Sequence, residues 1–447
     1  MFGFRALGNV HVPHRKNTAE HAGVKMNPKG DILLPLAQHI GAPATPIVKA
    51  GDAVLVGQKV AEANGPVSSP IYASVSGKVL KIEPYLRPDG RTVDAIRIAP
   101  DGEMKVYEGI TPPEVHDLES FLNAVRESGL VGLGGAGFPA AVKLAAQKAG
   151  KIDTVILNGA ECEPYITSDT RAMLDSADWI YQGVLLLKQY LGVEIIIGIE
   201  ENKPECIEKM KETFADVEGV RVQALASLYP QGAEKVLIYN TMRRIVPEGK
   251  LPADVGVLVV NVSSLTYLAK YIKTGMPLVE RLVTVDGSAL KEGKNVFAPI
   301  GTSAGELIDF VGGFIDEEDV GRVLSGGPMM GICLANLNEP TLKTTNALIA
   351  LNRKDSKEPT PTACIHCGRC VAACPFDLNP TTFSRALAYE DKEERVKILL
   401  DAHIGLCMEC GCCSFVCPAK RPLVQNNRLG KAEVHQYKAH KASLKSE

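Results

Sequence analysis

The rhythm of apolar and polar positions changes three times along the chain. Up to about residue 110 the apolar residues come in short alternating runs, at Thr45–Lys49, Ala53–Val56, Gln58–Ala61 and Gly77–Ile82. Turn signals separate them at Gly51–Asp52, Gly65–Pro66 and Pro88–Asp89–Gly90. Period-two alternation with this punctuation predicts a compact all-β unit, a small barrel or sandwich. From about residue 111 the spacing lengthens. Leu118, Phe121, Leu122 and Val125 share one helix face, a glycine-rich loop follows, and a helix from Ala140 stops at Gly150. An apolar strand, Thr154–Leu157, opens an alternating series: helix 168–191, strand 193–199, helix 203–215, strand 219–226, helix 232–243, strand 256–261 and helix 265–273. Such alternation predicts a mainly parallel sheet covered on both faces. Residues 280–335 turn β-rich again around Arg281–Val285, with a helical Ser303–Val311, and read as a small α+β unit. The polar, proline-containing stretch 352–362 reads as a linker. Helical spacing returns at Phe383, Leu387, Val396, Leu399 and Leu400, and the Lys- and Arg-rich tail after Pro422 predicts a solvated helix or a frayed end.

A chain of 447 residues exceeds one ordinary domain of about 100–200 residues. The pattern divides it at 1–110, 111–275, 276–345 and 346–447. A net charge of −3 provides no field for nucleic acid. No apolar stretch reaches the roughly 18–20 residues of a bilayer span, and the best run, Val255–Val262, has the length of a strand. The N-terminal run is broken by Arg5, His11 and Pro13 and lacks a secretory pattern. The expectation is a soluble chain able to dock on a membrane partner.

The twelve cysteines are unevenly placed: Cys162, Cys206 and Cys333 are scattered, and nine lie between Cys364 and Cys417. A disulfide framework belongs to small secreted chains, so thiolates holding metal are the better reading. The segment Cys364-Ile-His-Cys367-Gly-Arg-Cys370-Val-Ala-Ala-Cys374-Pro375 matches Cys407-Met-Glu-Cys410-Gly-Cys-Cys413-Ser-Phe-Val-Cys417-Pro418. In each copy three cysteines at two-residue gaps wrap one face of an iron–sulfur cube. The fourth, followed by proline, lies too far round the next turn and ligates the other cluster. The assignment is two [4Fe–4S] clusters, one on Cys364, Cys367, Cys370 and Cys417, the other on Cys407, Cys410, Cys413 and Cys374. Structural zinc sites use two C-x2-C pairs per metal and need no such repeat. Cys412 falls outside the spacing and reads as a packed thiol.

Gly132-Leu-Gly134-Gly135-Ala-Gly137-Phe-Pro139 precedes a helix, where backbone N–H groups can converge on a phosphate, with Lys143 adding charge. An ordinary tight turn fits the composition equally well, and the helix before the loop departs from the usual dinucleotide fingerprint. Strand Thr154–Leu157 runs into Asn158-Gly-Ala-Glu161-Cys-Glu163-Pro164. Two further loops, Tyr229-Pro-Gln-Gly232-Ala-Glu234-Lys235 and Asn261-Val-Ser-Ser264, also follow strands. Open α/β sheets bind ligands at such strand ends.

These loops resemble those of the flavin- and NADH-binding subunit family of respiratory complex I. Its G-R-G-G-A-G-F-P loop matches Gly132–Pro139 with Leu133 at the Arg. Its N-A-D-E-G-E-P loop matches Asn158–Pro164 with Ala160 at the Asp and Cys162 at a Gly, and its Y-x-x-G-E-E loop matches Tyr229–Glu234 with Ala233 at the first Glu. Residues 280–335 resemble the β-grasp (SLBB) module of that family, and Pro46–Glu83 resembles a biotinyl/lipoyl-like barrel-sandwich module without a carrier lysine at a hairpin tip. In module order the whole chain is similar to the RnfC family, a component of Rnf complexes, which are membrane-bound ferredoxin–NAD oxidoreductases. His39-Ile-Gly-Ala-Pro, Ala160-Glu-Cys-Glu-Pro-Tyr165, Gly326-Gly-Pro-Met-Met-Gly331 and Cys417-Pro-Ala-Lys-Arg-Pro-Leu carry that likeness.

The resemblance implies a multidomain α/β fold. A barrel-sandwich domain (1–110) is followed by a Rossmann-like FMN/NADH domain (111–275), an SLBB β-grasp module (276–345) and a helical two-cluster ferredoxin domain (346–447). It implies FMN, with NAD(H) as substrate, bound by Gly132, Gly134, Gly135, Gly137, Lys143, Asn158, Glu161, Glu163, Tyr229, Gly232, Glu234 and Asn261. It implies electron transfer coupled to Na⁺ or H⁺ translocation by partner subunits. The location is peripheral, on the cytoplasmic side of the bacterial inner membrane, and ferredoxin is an indirect partner. Two alternatives remain: a soluble NADH-dependent cobalamin reductase, whose family carries the barrel at the other end, and an electron-conducting adaptor without a working flavin site.

Overall fold

The computed structural model describes residues 7–444 apart from Asp89. Arg5 of the N-terminal run and Asp89 of the Pro88–Gly90 turn therefore lie outside the described residues. The first unit packs two antiparallel sheets. One pairs Ile32–Pro35, Thr92–Pro100, Gly77–Leu86 and Ala53–Val54 in that order, the other Thr45–Pro46, Lys59–Glu62 and Ile71–Tyr72. Ile32, Leu34, Val60, Ile71, Val79, Ile96 and Ile98 fill the space between them, the inward half of the alternation.

The central unit is a four-stranded parallel sheet in the order Val220–Leu225, Glu194–Glu200, Thr154–Gly159, Val257–Asn261. Its three strands other than the edge strand Val220–Leu225 are apolar on both faces because helices cover both. Val155, Leu157, Ile195, Ile197 and Ile199 pack under Ile180, Val184, Leu187 and Leu265. Ile156, Ile196 and Val259 pack on the opposite side with Leu237 and Ile238. The helix expected over 168–191 is two helices, Ser168–Asp175 and Ala177–Leu191, because Ser176 leaves the helical region at φ −130°. Asp175 and Ser176 are residues whose side chains compete with helical hydrogen bonding.

A six-stranded mixed sheet follows, ordered Val24–Lys25, Lys294–Pro299, Glu280–Asp286, Ala347–Asn352, Val320–Ser325, Ile332–Cys333. Two of its strands depart from the division read in the sequence. Val24–Lys25 comes from the N-terminal 110 residues, and Ala347–Asn352 was expected with the cysteine domain. Five of the six residues in Ala347–Asn352 are buried, because strands flank it on both edges and apolar side chains cover both faces. Such a strand shows no alternation to read.

In the C-terminal unit, helices Pro380–Ala386, Lys392–Asp401 and Leu423–Ser443 enclose Phe383, Val396, Leu399, Ile404 and Val434. The tail helix is thus packed through its first half, with Leu423, Val424 and Asn427 buried. No helix among the described residues is long and apolar enough to cross a membrane.

One further feature crosses these units. Residues 8–18 form an extended arm over the central unit. Val10 and Tyr229 exchange backbone hydrogen bonds at 2.9 Å each, and Tyr165 N donates to His14 O at 3.0 Å.

Candidate functional site

Because the central strands are parallel, the loops after them emerge on one side. The glycine loop is drawn to the same edge. It closes on itself through Gly132 N to Phe138 O at 2.8 Å and Gly137 N to Gly132 O at 3.2 Å. Gly137 O accepts from Ile40 N of the barrel at 3.0 Å, so the loop is clamped from outside. Gly135 sits at φ +105°, and a Cβ there meets nothing within 4 Å.

Direct contacts join the loops. Leu133 N donates to Ser264 Oγ at 2.9 Å, and Asn158 Nδ2 donates to Gly232 O at 2.8 Å. The Lys143 ammonium donates to Glu234 Oε1 at 2.8 Å and to Val259 O at 2.9 Å. Asn261 caps the helix Val262–Thr274 by accepting from Ser264 N, while its amide donates to Asp169 Oδ2 at 2.7 Å. These contacts tie together the segments that carry Gly132, Gly134, Gly135, Gly137, Lys143, Asn158, Gly232, Glu234 and Asn261.

Three other candidates face elsewhere. The Glu161 carboxylate accepts from Asp169 N at 2.6 Å and Thr170 Oγ1 at 2.5 Å, at the start of helix Ser168–Asp175. The Glu163 carboxylate accepts from Met329 N at 3.0 Å and Met330 N at 2.8 Å, which ties it to the Gly326–Gly331 turn. Burial raises both carboxyls, that of Glu163 to about 7. Tyr229 is 1% exposed, and its hydroxyl donates to Cys410 O at 2.8 Å, so it faces the cysteine unit. Sequence reasoning missed Asp169, which accepts from both Asn261 and Ser263 Oγ, and Lys16 of the arm. Their partners are far away in sequence, so no spacing announces them.

The two cysteine repeats adopt one backbone. His366 and Glu409 lie at φ 54° and 62°, Gly368 and Gly411 at 73° and 81°, Asp377 and Lys420 at 55° and 52°. Short helices Arg369–Ala372 and Cys412–Phe415 follow the second ligand position in each and carry the third. Cys364, Cys367, Cys370 and Cys417 line one cavity. Cys374, Cys407, Cys410 and Cys413 line a second, smaller one. The fourth cysteine of each repeat thus lies with the first three of the other, the exchange that the spacing predicts. All twelve cysteines are unpaired. Among the described residues no group of three or more His, Cys, Asp or Glu is placed to hold a metal ion; the eight thiols line the two cavities. Cys412 is a packed thiol, its Sγ 3.8 Å from Tyr229 O.

The smaller cavity abuts the central unit. Tyr229, Cys410, Cys412 and Val10 pack as one apolar group, with Cys162 and Met329 against it. The larger cavity opens outward, beside Ile365 at 65% exposure.

Comparison with known proteins follows this layout. Residues 4–103 match the RnfC barrel sandwich hybrid domain and 125–270 the Nuo51 FMN-binding domain. Residues 282–332 match the SLBB domain and 361–421 a 4Fe-4S dicluster domain. Fold and site together define a flavin- and iron–sulfur-dependent electron-transfer protein. Three relatives are the components designated C of their complexes. The chain is 43% identical to that of the proton-translocating ferredoxin:NAD(+) oxidoreductase complex of Clostridium ljungdahlii, covering 87% of this chain and 86% of that one. It is 42% identical to that of the Na(+)-translocating ferredoxin:NAD(+) oxidoreductase complex of Acetobacterium woodii, over 83% and 85%. It is 38% identical to that of the ion-translocating oxidoreductase complex of Rhodobacter capsulatus, over 88% and 77%. The chain belongs to this family, the RnfC family.

Proposed function

We propose that this chain is the peripheral NAD(H)-reactive subunit of an ion-translocating ferredoxin–NAD⁺ oxidoreductase complex. It rests on the cytoplasmic side of the membrane against membrane subunits that move the Na⁺ or H⁺ and bring electrons from ferredoxin. When bound, FMN supplies the exchange between the hydride pair of NAD(H) and the single electrons that [4Fe–4S] clusters carry.

The residues fit these groups. Gly134 and Gly135 would offer backbone N–H groups without Cβ crowding to the flavin phosphate side, while Gly132 and Gly137 close the loop that presents them and Lys143 stands beside it in its ion pair with Glu234. Asn158, Gly232, Glu234 and Asn261 provide polar groups around the flavin and nicotinamide. Glu161, Glu163 and Tyr229 shape the loops behind them. Cys364, Cys367, Cys370 and Cys417 hold the outward cluster, and Cys407, Cys410, Cys413 and Cys374 the inner one.

One observation carries the reading. In the loop 226–234, Gly232 O accepts from Asn158, Glu234 pairs with Lys143, and Tyr229 donates to Cys410 O at 2.8 Å. A single loop therefore joins the flavin edge to the inner cysteine cavity. Iron, sulfide and flavin assays on the purified chain, with co-purification of its membrane subunits, test the proposal. Zinc without sulfide, or a chain that recovers no membrane subunit, contradicts it.

A further inference from the structure

The candidate site described above is built on the central sheet, yet the loop that follows strand Thr154–Gly159 is held from outside that sheet. The ammonium of Lys16, on the N-terminal arm, donates to three carbonyls of this loop: Glu161 O at 2.8 Å, Glu163 O at 2.9 Å and Ile166 O at 2.6 Å. Three donors meet three acceptors, the full capacity of an ammonium. The side chain is 15% exposed and lies 4.0 Å from Glu161 Oε2. Burial lowers its pKa, and the Glu161 carboxylate nearby opposes that shift. The loop that it holds is strained: Glu161 lies at φ 49° and Tyr165 at φ 70°. Non-glycine residues persist there only where their surroundings hold them.

The consequence reaches the other side of the site. Glu161, set by this loop, accepts from Asp169 N at 2.6 Å, and Asp169 accepts from the Asn261 amide at 2.7 Å. Asn261 is thus oriented through a chain that starts at the loop Lys16 anchors, while Asn158, on the neighbouring strand, precedes that loop and is held by Gly232 O and Ala160 N. The same arm continues to the inner cysteine cavity, where a Cβ on Gly8 would collide with the carbonyl of Cys374.

We infer that Lys16 is a positioning residue for the flavin cleft, and that seating of the N-terminal arm and binding of FMN are thermodynamically linked. This rests on the FMN reading above. If the arm orders the cleft, FMN must in turn order the arm.

The test uses the full chain with clusters loaded and FMN removed. Hydrogen exchange of residues 8–18 is measured with and without added FMN, and FMN affinity is read by fluorescence titration. The wild-type arm is expected to gain protection on FMN addition. Lys16→Met is expected to weaken FMN binding about ten- to hundredfold while the cluster EPR signals and iron content stay at wild-type level. Gly8→Val, a wedge at the far end of the arm against the backbone of Cys374, is expected to unseat the arm and so to weaken FMN binding as well as alter the signal of the inner cluster; an arm that loses protection with wild-type FMN affinity overturns the linkage. Wild-type FMN affinity in Lys16→Met overturns the inference. So does parallel loss of clusters, melting temperature and flavin in Lys16→Met, which marks a mere staple of the fold, and so does a wild-type arm that binds FMN without gaining protection. A wild-type chain that binds no FMN overturns the underlying functional reading, a distinct outcome.

Discussion

The hydroxyl of Tyr229 donates to the carbonyl of Cys410 at 2.8 Å, and both residues are buried. This contact joins the flavin side of the molecule to its inner cysteine cavity. Tyr229→Phe leaves a buried carbonyl without its donor, a cost of roughly 1–3 kcal/mol. A lower melting temperature is expected. In stopped-flow measurements the rate of cluster reduction relative to flavin reduction should fall. An unchanged ratio would mean that electrons pass elsewhere.

The crossed cysteine sets make a pair of opposed predictions. Cys417→Ala should remove the cluster of Cys364, Cys367 and Cys370, and Cys374→Ala that of Cys407, Cys410 and Cys413. Each variant is expected to keep about half the iron and to lose a different EPR signal. Loss of the same signal in both would contradict the exchange of fourth ligands seen in the two cavities.

Gly135 provides a test of the flavin loop by conformation alone. Its φ of +105° disfavours any side chain although nothing lies within 4 Å of a Cβ. Gly135→Ala therefore adds strain of about 1–3 kcal/mol without a clash. FMN affinity, followed by fluorescence, should drop roughly tenfold or more, with cluster content unchanged. Wild-type affinity would remove the loop from the binding site.

His39 links acid stability to the barrel. Its Nε2 accepts from Ser69 N at 3.0 Å. Burial, with the Lys343 ammonium nearby, lowers its pKa from 6.5 to about 4. A lowered histidine stays neutral in the folded chain while the unfolded chain takes up a proton. Stability is thus full above pH 6.5 and lost as pH falls toward 4. Melting temperature should decline across that window, and His39→Gln should flatten the decline.

The sequence made the cysteine chemistry legible because ligand spacing within one short segment determines it. Even the exchange of Cys374 and Cys417 follows from local geometry. The alternating strands of the central sheet were readable for the same reason, since burial on both faces leaves continuous apolar runs. Strand Ala347–Asn352 was assigned to the wrong unit because its partners, Glu280–Asp286 and Val320–Ser325, are decided by tertiary pairing. Glu161 and Glu163 were readable as belonging to the site's loop, but the direction of their carboxylates depends on Thr170 and on Met329 and Met330. Lys16 carried no signal at all, because its acceptors lie some 145–150 residues further along the chain.

In the proposed function one chain converts the electron pair of NADH into single electrons on its own clusters. Anaerobic stopped-flow mixing of NADH with the flavin- and cluster-loaded chain tests it most directly, with freeze-quench EPR of the products. Bleaching of the flavin absorbance followed by signals from reduced [4Fe–4S] clusters is the predicted result. A flavin that stays oxidised, or clusters that stay silent after the flavin bleaches, would contradict the account.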